Sequence, residues 1–198
     1  MRKVVTSLLC ALLFAGCFMR KDNSAGFAAY EGFYKSILDN DKFQEGSLYY
    51  QISAEMSTLA DGTHRYYIFL DDAQIAMYDV VMLAVENGTP FEGSTKMMPS
   101  IGVFESQDYS LIPYQARTDK GYVKGLVLSG ETADDSVDIA LLVEWRDKNK
   151  ENAHREYLSF AITEDGYTAM TRQMPAEQPE EPETAAESEQ NEEQTVNE

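Results

Sequence analysis

The chain has 198 residues, a net charge of −18 and 43% hydrophobic residues, enough for one packed domain with tails. Nine glutamates and no basic residue crowd into 175–198, and setting these aside with Arg2 and Lys3 leaves −11 on the body, a balance that excludes a nucleic-acid partner by repulsion from phosphates. Both cysteines, Cys10 and Cys17, fall in the first 17 residues, which excludes disulfides, thiol nucleophiles and cysteine zinc sites downstream.

The chain opens with Met1-Arg2-Lys3, an apolar run from Val4 to Ala15, then Gly16-Cys17, with polar sequence from Arg20 onward. A short cationic head, an apolar stretch and small residues before a cut describe a secretory leader. The ending Leu13-Phe14-Ala15-Gly16-Cys17 resembles the lipobox of bacterial lipoproteins, with Phe14 where leucine is usual. The resemblance covers residues 1–17 alone. It implies that 1–16 is a signal peptide and that Cys17 becomes the acylated (palmitate-type, diacylglyceryl) N-terminus. It also implies a protein held by lipid on the extracytoplasmic side of the cell membrane. Val4 to Met19 spans 16 residues, short of the roughly 20 that cross a bilayer core. One acyl chain gives reversible attachment, whereas the two chains of a diacylglyceryl group give stable anchoring. The bilayer is therefore the first expected partner.

Residues 17–23 read as a tether. Residues 24–40 read as a helix, because Phe27, Tyr30, Tyr34 and Ile37/Leu38 recur at three- and four-residue steps. Asp39-Asn40 is its stop. From Gly46 the period becomes 2: Leu48, Tyr50, Ile52, Ala54 and Met56 alternate with polar residues, as in a half-buried strand. Asp61-Gly62 turns the chain and Arg65 to Leu70 returns beside it. Asp71-Asp72 turns it again, and Ile75 to Glu86 forms a third run ended by Asn87-Gly88. Lys96–Glu105 and Tyr109–Gln115 read as shorter strands interrupted by Pro99 and Pro113. Strands then follow at Tyr122–Ser129, at Val137–Arg146 with Trp145 facing the core, and at Arg155–Thr163 after a polar turn at Lys148–Asn152.

This spacing predicts an all-β fold over 41–173, an immunoglobulin-like β-sandwich of about eight antiparallel strands with a short N-terminal helix. A partly open barrel is the other architecture it permits. From 174 to 198 no apolar period remains, and the composition predicts a disordered acidic tail.

Catalytic signatures are missing from the sequence: no P-loop, no Gly-x-Gly-x-x-Gly, no Gly-x-Ser-x-Gly and no His-Glu-x-x-His. His64 and His154, the two histidines, stand beside arginine near turns and read as exposed structural residues. They belong to an internal echo, His64-Arg65-x-Tyr67-Ile68 against His154-Arg155-x-Tyr157-Leu158, which would bring them close together if the two hairpins were equivalent. Asp71-Asp72 and Asp134-Asp135 lack the spacing of a calcium loop and read as turn formers. Asn87-Gly88-Thr89 is likewise a turn. Tyr49, Tyr67 and Tyr122 are the outward aromatics that a protein or glycan binder would use, and Met97-Met98 is a soft contact or a core filler.

The sequence thus implies no enzyme, no catalytic residue, no cofactor and no metal. It predicts a lipid-anchored binding module of the cell envelope whose ligand is a protein or a glycan. A sandwich-fold hydrolase or metal-dependent enzyme, and an accessory lipoprotein of a transporter, are the competing readings.

Overall fold

The computed structural model describes residues 24–164 and the backbone of 168–170. One helix, α1 (Ser24–Leu38), precedes seven strands: β1 (Gln51–Thr58), β2 (His64–Asp71), β3 (Tyr78–Glu86), β4 (Ser100–Ile101), β5 (Leu126–Thr132), β6 (Ser136–Arg146) and β7 (Ala153–Thr163). A three-residue segment, β8 (Thr168–Met170), adds backbone pairing along the outer side of β1. The strands make two antiparallel sheets, ordered β5-β2-β1-β8 and β4-β3-β6-β7. The protein is therefore mostly β with one short helix, as the alternation predicts. Seven strands, rather than eight, supply its side-chain packing.

Period-2 patterning explains the core. On β6, Val137, Ile139, Leu141, Val143 and Trp145 are all buried, and each points into the layer between the sheets. Tyr50, Ile52, Ala54 and Met56 on and before β1 meet them there, as do Tyr66, Ile68 and Leu70 of β2. Trp145 is 2% exposed and meets Tyr49 and Tyr50 edge-on. Leu48, the first residue of the expected alternation, lies before the strand begins and remains exposed.

β3 and β6 are buried on both faces, and α1 is the reason. Leu83, Val85 and Leu142 point away from the inter-sheet core and pack under Tyr30, Tyr34 and Ile37 of α1. Burial of each such apolar side chain contributes about 1.5–3 kcal/mol, so Tyr30, Tyr34 and Ile37 are spent on the fold, while Phe27 and Leu38 of the stripe stay exposed. The helix ends at Leu38, with Asp39 and Asn40 closing it through backbone bonds to Lys35 and Ile37. No helix among the described residues is long and apolar enough to cross a membrane.

The expected strands at 96–105 and 109–115 reduce to β4 and a few isolated bridges. Pro99 and Pro113 remove donors that a ladder needs. Gly102, at φ 81°, approaches β3 so closely that a Cβ would lie 2.3 Å from the Val80 carbonyl. The result is a long, ordered connection from β4 to β5, pinned by bridges between Met77 and Leu111 and between Ser110 and Tyr122. Long connections of this kind in compact domains commonly carry function.

Candidate binding site

That connection builds a cleft. Ile112, Pro113, Tyr114 and Gln115 form a tight turn in which the Gln115 amide donates to the Ile112 carbonyl at 3.0 Å. Proline second and a positive φ third are the pattern of a type II turn, whose third place favours glycine or asparagine. Tyr114 occupies it at φ 62°, and its ring stands wholly in solvent. A bulky residue held in the left-handed region costs about 1–3 kcal/mol and persists only where the surroundings impose it. Here Leu111 is buried and bonded to Met77 in both directions, at 2.9 and 2.8 Å, which fixes the base of the turn.

Tyr114 lies on the wall of a cleft of about 490 Å³. Leu111, Ile112, Pro113 and Val123 give it an apolar floor from the connection itself, while Ala73 and Gln74 close it from the turn after β2. Gln115, Asp72 and Lys124 add polar groups around it. An apolar cavity with a few convergent polar groups is the usual form of a ligand site.

The other side of the same connection borders a second, polar cleft of about 800 Å³ lined by Asp79, Asp108 and Asp119 and by Lys120, Lys148 and Lys150. Lys150 and Asp79 pair at 2.7 Å, and both have positive φ, 60° and 50°. The hydrogen bond that Lys150 donates to the Asp79 carboxylate raises its ammonium above the ordinary range. Asp79 sits where the pairing of β3 with β6 slips, so a bulge aims its carboxylate at the lysine.

The sequence-derived candidates scatter. His64 is not exposed, contrary to expectation: it is 4% exposed. The reason is parity, since His64, Tyr66, Ile68 and Leu70 alternate on the buried side of β2. Its Nε2 lies 3.3 Å from Asp135 and its Nδ1 3.1 Å from Glu164, the latter out of line for a hydrogen bond. His154 is exposed and stacks on Trp145 with centroids 5.6 Å apart. The two histidines do not come together. His64 pairs with the last residue of β1, whereas His154 pairs with Trp145, which meets the residues before β1.

Asp71 ends β2 opposite Gln51, whereas Asp72, Asp134 and Asp135 lie in the exposed segments after β2 and β5. Burial, then the neighbouring Asp72, raises the Asp71 carboxyl. Among the described residues no three His, Asp or Glu side chains converge to hold a metal. Tyr49 is partly exposed against Trp145, Tyr67 stacks on Phe69, and Tyr122 is half-buried. Met97 is 57% exposed, whereas Met98 is a core residue whose amide donates to the Tyr30 hydroxyl at 2.7 Å. Asn87-Gly88 forms a turn with both φ positive, and Asn87 accepts the Asp138 amide at 2.9 Å. Cys17, the tether and the acidic tail lie outside the described residues.

One cluster had no counterpart in the sequence reading. Glu86, 5% exposed, accepts the Tyr66 hydroxyl at 2.6 Å and pairs with Lys96 at 2.7 Å. Lys96 also donates to the Glu131 carbonyl at 2.6 Å, so it pins the segment before β4 to the edge of β5. A glutamate ending the apolar run of β3 was the available signal. No family description, no curated protein and no solved structure matches the chain.

Proposed function

We propose that this chain is a lipid-anchored, non-enzymatic binding module of the bacterial cell envelope, built as an immunoglobulin-like β-sandwich. On this reading Cys17 carries the lipid, and the ligand is a protein or glycan taken in the cleft beside Tyr114. The observation that carries the site is the strained, fully exposed Tyr114 on an apolar cleft. Strain of this kind clusters at ligand-contacting positions, and tyrosine supplies a large rigid contact at low entropic cost.

The connectivity supports the finer fold assignment. If β1, β2 and β3 are lettered A, B and C, then β5, β6 and β7 fall where E, F and G do, giving A-B-E facing C′-C-F-G. Strand D is replaced by the connection that carries Tyr114. Neither histidine lines the cleft, which favours binding over acid–base chemistry there.

The test places a photoreactive phenylalanine analogue at position 114 of the full-length lipoprotein in intact membranes, with the same analogue at Ser159 on β7 as control. A discrete protein or glycan adduct from position 114 alone is expected. Equal or absent adduct formation at the two positions would remove the assignment.

A further inference from the structure

The first two turns of α1 read Ser24-Ala25-Gly26-Phe27-Ala28-Ala29-Tyr30 and carry no charge, in a chain whose net charge is −18. Tyr30 turns inward, but Phe27 is 48% exposed, and Ala25, Ala28 and Ala29 are exposed on the remaining sides of the helix. Phe104, 39% exposed, lies against the same turn: its ring is 5.6 Å from that of Tyr30, and a Cβ on Gly26 would fall 3.2 Å from it. Phe27 reaches Phe91 at 6.2 Å between centroids. The start of α1 is thus an uncharged, apolar end of the domain, with Phe27 on one flank of Tyr30 and Phe104 on the other.

The chain ahead of this end is short. Six residues, Phe18 to Asn23, separate Cys17 from Ser24, and even full extension allows them about 20 Å. If Cys17 carries lipid, this end is the part of the domain held nearest the bilayer; the first turn of α1 bears no acidic side chain, and the Glu105 carboxylate beside Phe104 is engaged by the Gly102 and Phe104 amides. We propose that Phe27 and Phe104, flanking the uncharged start of α1, seat the domain on the lipid interface. Phenylalanine is among the residues that interfacial helices bury at the boundary of headgroups and acyl chains. The whole helix does not lie in the membrane, because Tyr30, Tyr34 and Ile37 are committed to the fold. Seating also sets an orientation. The start of α1 adjoins Val103 and Phe104, just beyond β4, while the segment after its end bridges β7 through Gln44. The β4 side therefore faces lipid and the β7 side faces away.

This inference rests on acylation of Cys17, and the experiment separates the two. After processing at Cys17 the chain has no free thiol, so one introduced cysteine takes a fluorophore uniquely. The full-length protein as extracted from the cell's membranes, carrying Phe104→Cys, Phe27→Cys or Ser159→Cys, is labelled with an environment-sensitive dye and reconstituted into phosphatidylcholine vesicles. Vesicle flotation reports the anchor; quenching by nitroxides on the headgroups reports seating. Quenching several-fold stronger at 104 and 27 than at 159 is expected, with unchanged circular dichroism showing that each variant is folded. Flotation with equal quenching at all three positions overturns the seating alone and leaves the two phenylalanines to a protein partner. Failure to float overturns the anchor and the seating with it.

Discussion

Gly130 lies directly across from Tyr66 on the neighbouring strand, and a Cβ at Gly130 would fall 2.2 Å from the Tyr66 hydroxyl. That hydroxyl is already engaged by Glu86, so it has no free direction in which to move. Gly130→Ala should therefore destabilise the domain by about 1–3 kcal/mol, the usual cost of overpacking a filled site. A urea titration of both proteins measures it. A shift of less than about 0.5 kcal/mol would show that the Tyr66–Glu86 contact yields easily.

Alkaline pH should unfold the protein in a way that Tyr66→Phe blunts. Burial, then the Glu86 carboxylate, holds the Tyr66 hydroxyl far above the usual tyrosine value of 10.0. Burial, then Glu156, does the same for Tyr50. Above pH 10 the unfolded chain releases these protons while the folded one keeps them, so stability falls as pH rises from there. Below pH 10 neither group contributes a slope. Ellipticity followed from pH 8 to pH 12 checks the sign, and a slope unaltered by Tyr66→Phe would contradict it.

Relaxing the turn at the cleft should stabilise the protein. Tyr114→Gly removes the penalty of a positive φ, partly offset by the freer unfolded chain, for a net gain of a few tenths to about 1 kcal/mol. Tyr114→Asn should give a smaller gain, since asparagine tolerates that region better than tyrosine. Thermal melts of the three proteins rank them. A loss of stability in both variants would mean that the ring serves the fold.

The internal echo has a structural counterpart. Arg65 pairs across the strands with Glu131, and Arg155 with Glu144, each directly opposite in register. The surroundings differ: the Glu131 side chain is 55% exposed, but Glu144 only 13%. Double-mutant cycles should give about 0.2–1 kcal/mol for the first pair and a larger coupling for the second. One molar salt should weaken the first more. The reverse ranking would show that exposure does not set the strength.

Much of the β architecture could be read from alternation, because each inward residue of β6 and each turn from Asp61 to Asn87 obeys local rules. The helix was legible for the same reason, although Phe27, part of its apolar stripe, ended outside the core. His64 was misread because its arginine neighbour and nearby turn outweighed a parity it shares with Tyr66, Ile68 and Leu70. The region from 89 to 125 resisted reading: its shape depends on contacts with distant backbone, such as Leu111 on Met77 and Gly102 on Val80. Tyr114 was invisible as a site for that reason, since only the closed turn gives it a positive φ. The Glu86–Lys96 pair joins elements whose proximity no local pattern encodes.

β7 is an eleven-residue strand at the margin of its sheet, long enough to recruit a neighbouring chain. Gln44 occupies its middle: the Gln44 amide donates to the Tyr157 carbonyl at 2.8 Å, and the Ser159 amide donates back at 3.1 Å. A single residue thus breaks a continuous template into two stubs, and exposed templates of that length are where identical molecules stack into fibrils. Copies crowded together would be kept apart by this plug rather than by charge alone, and salt that screens their mutual repulsion would leave it intact.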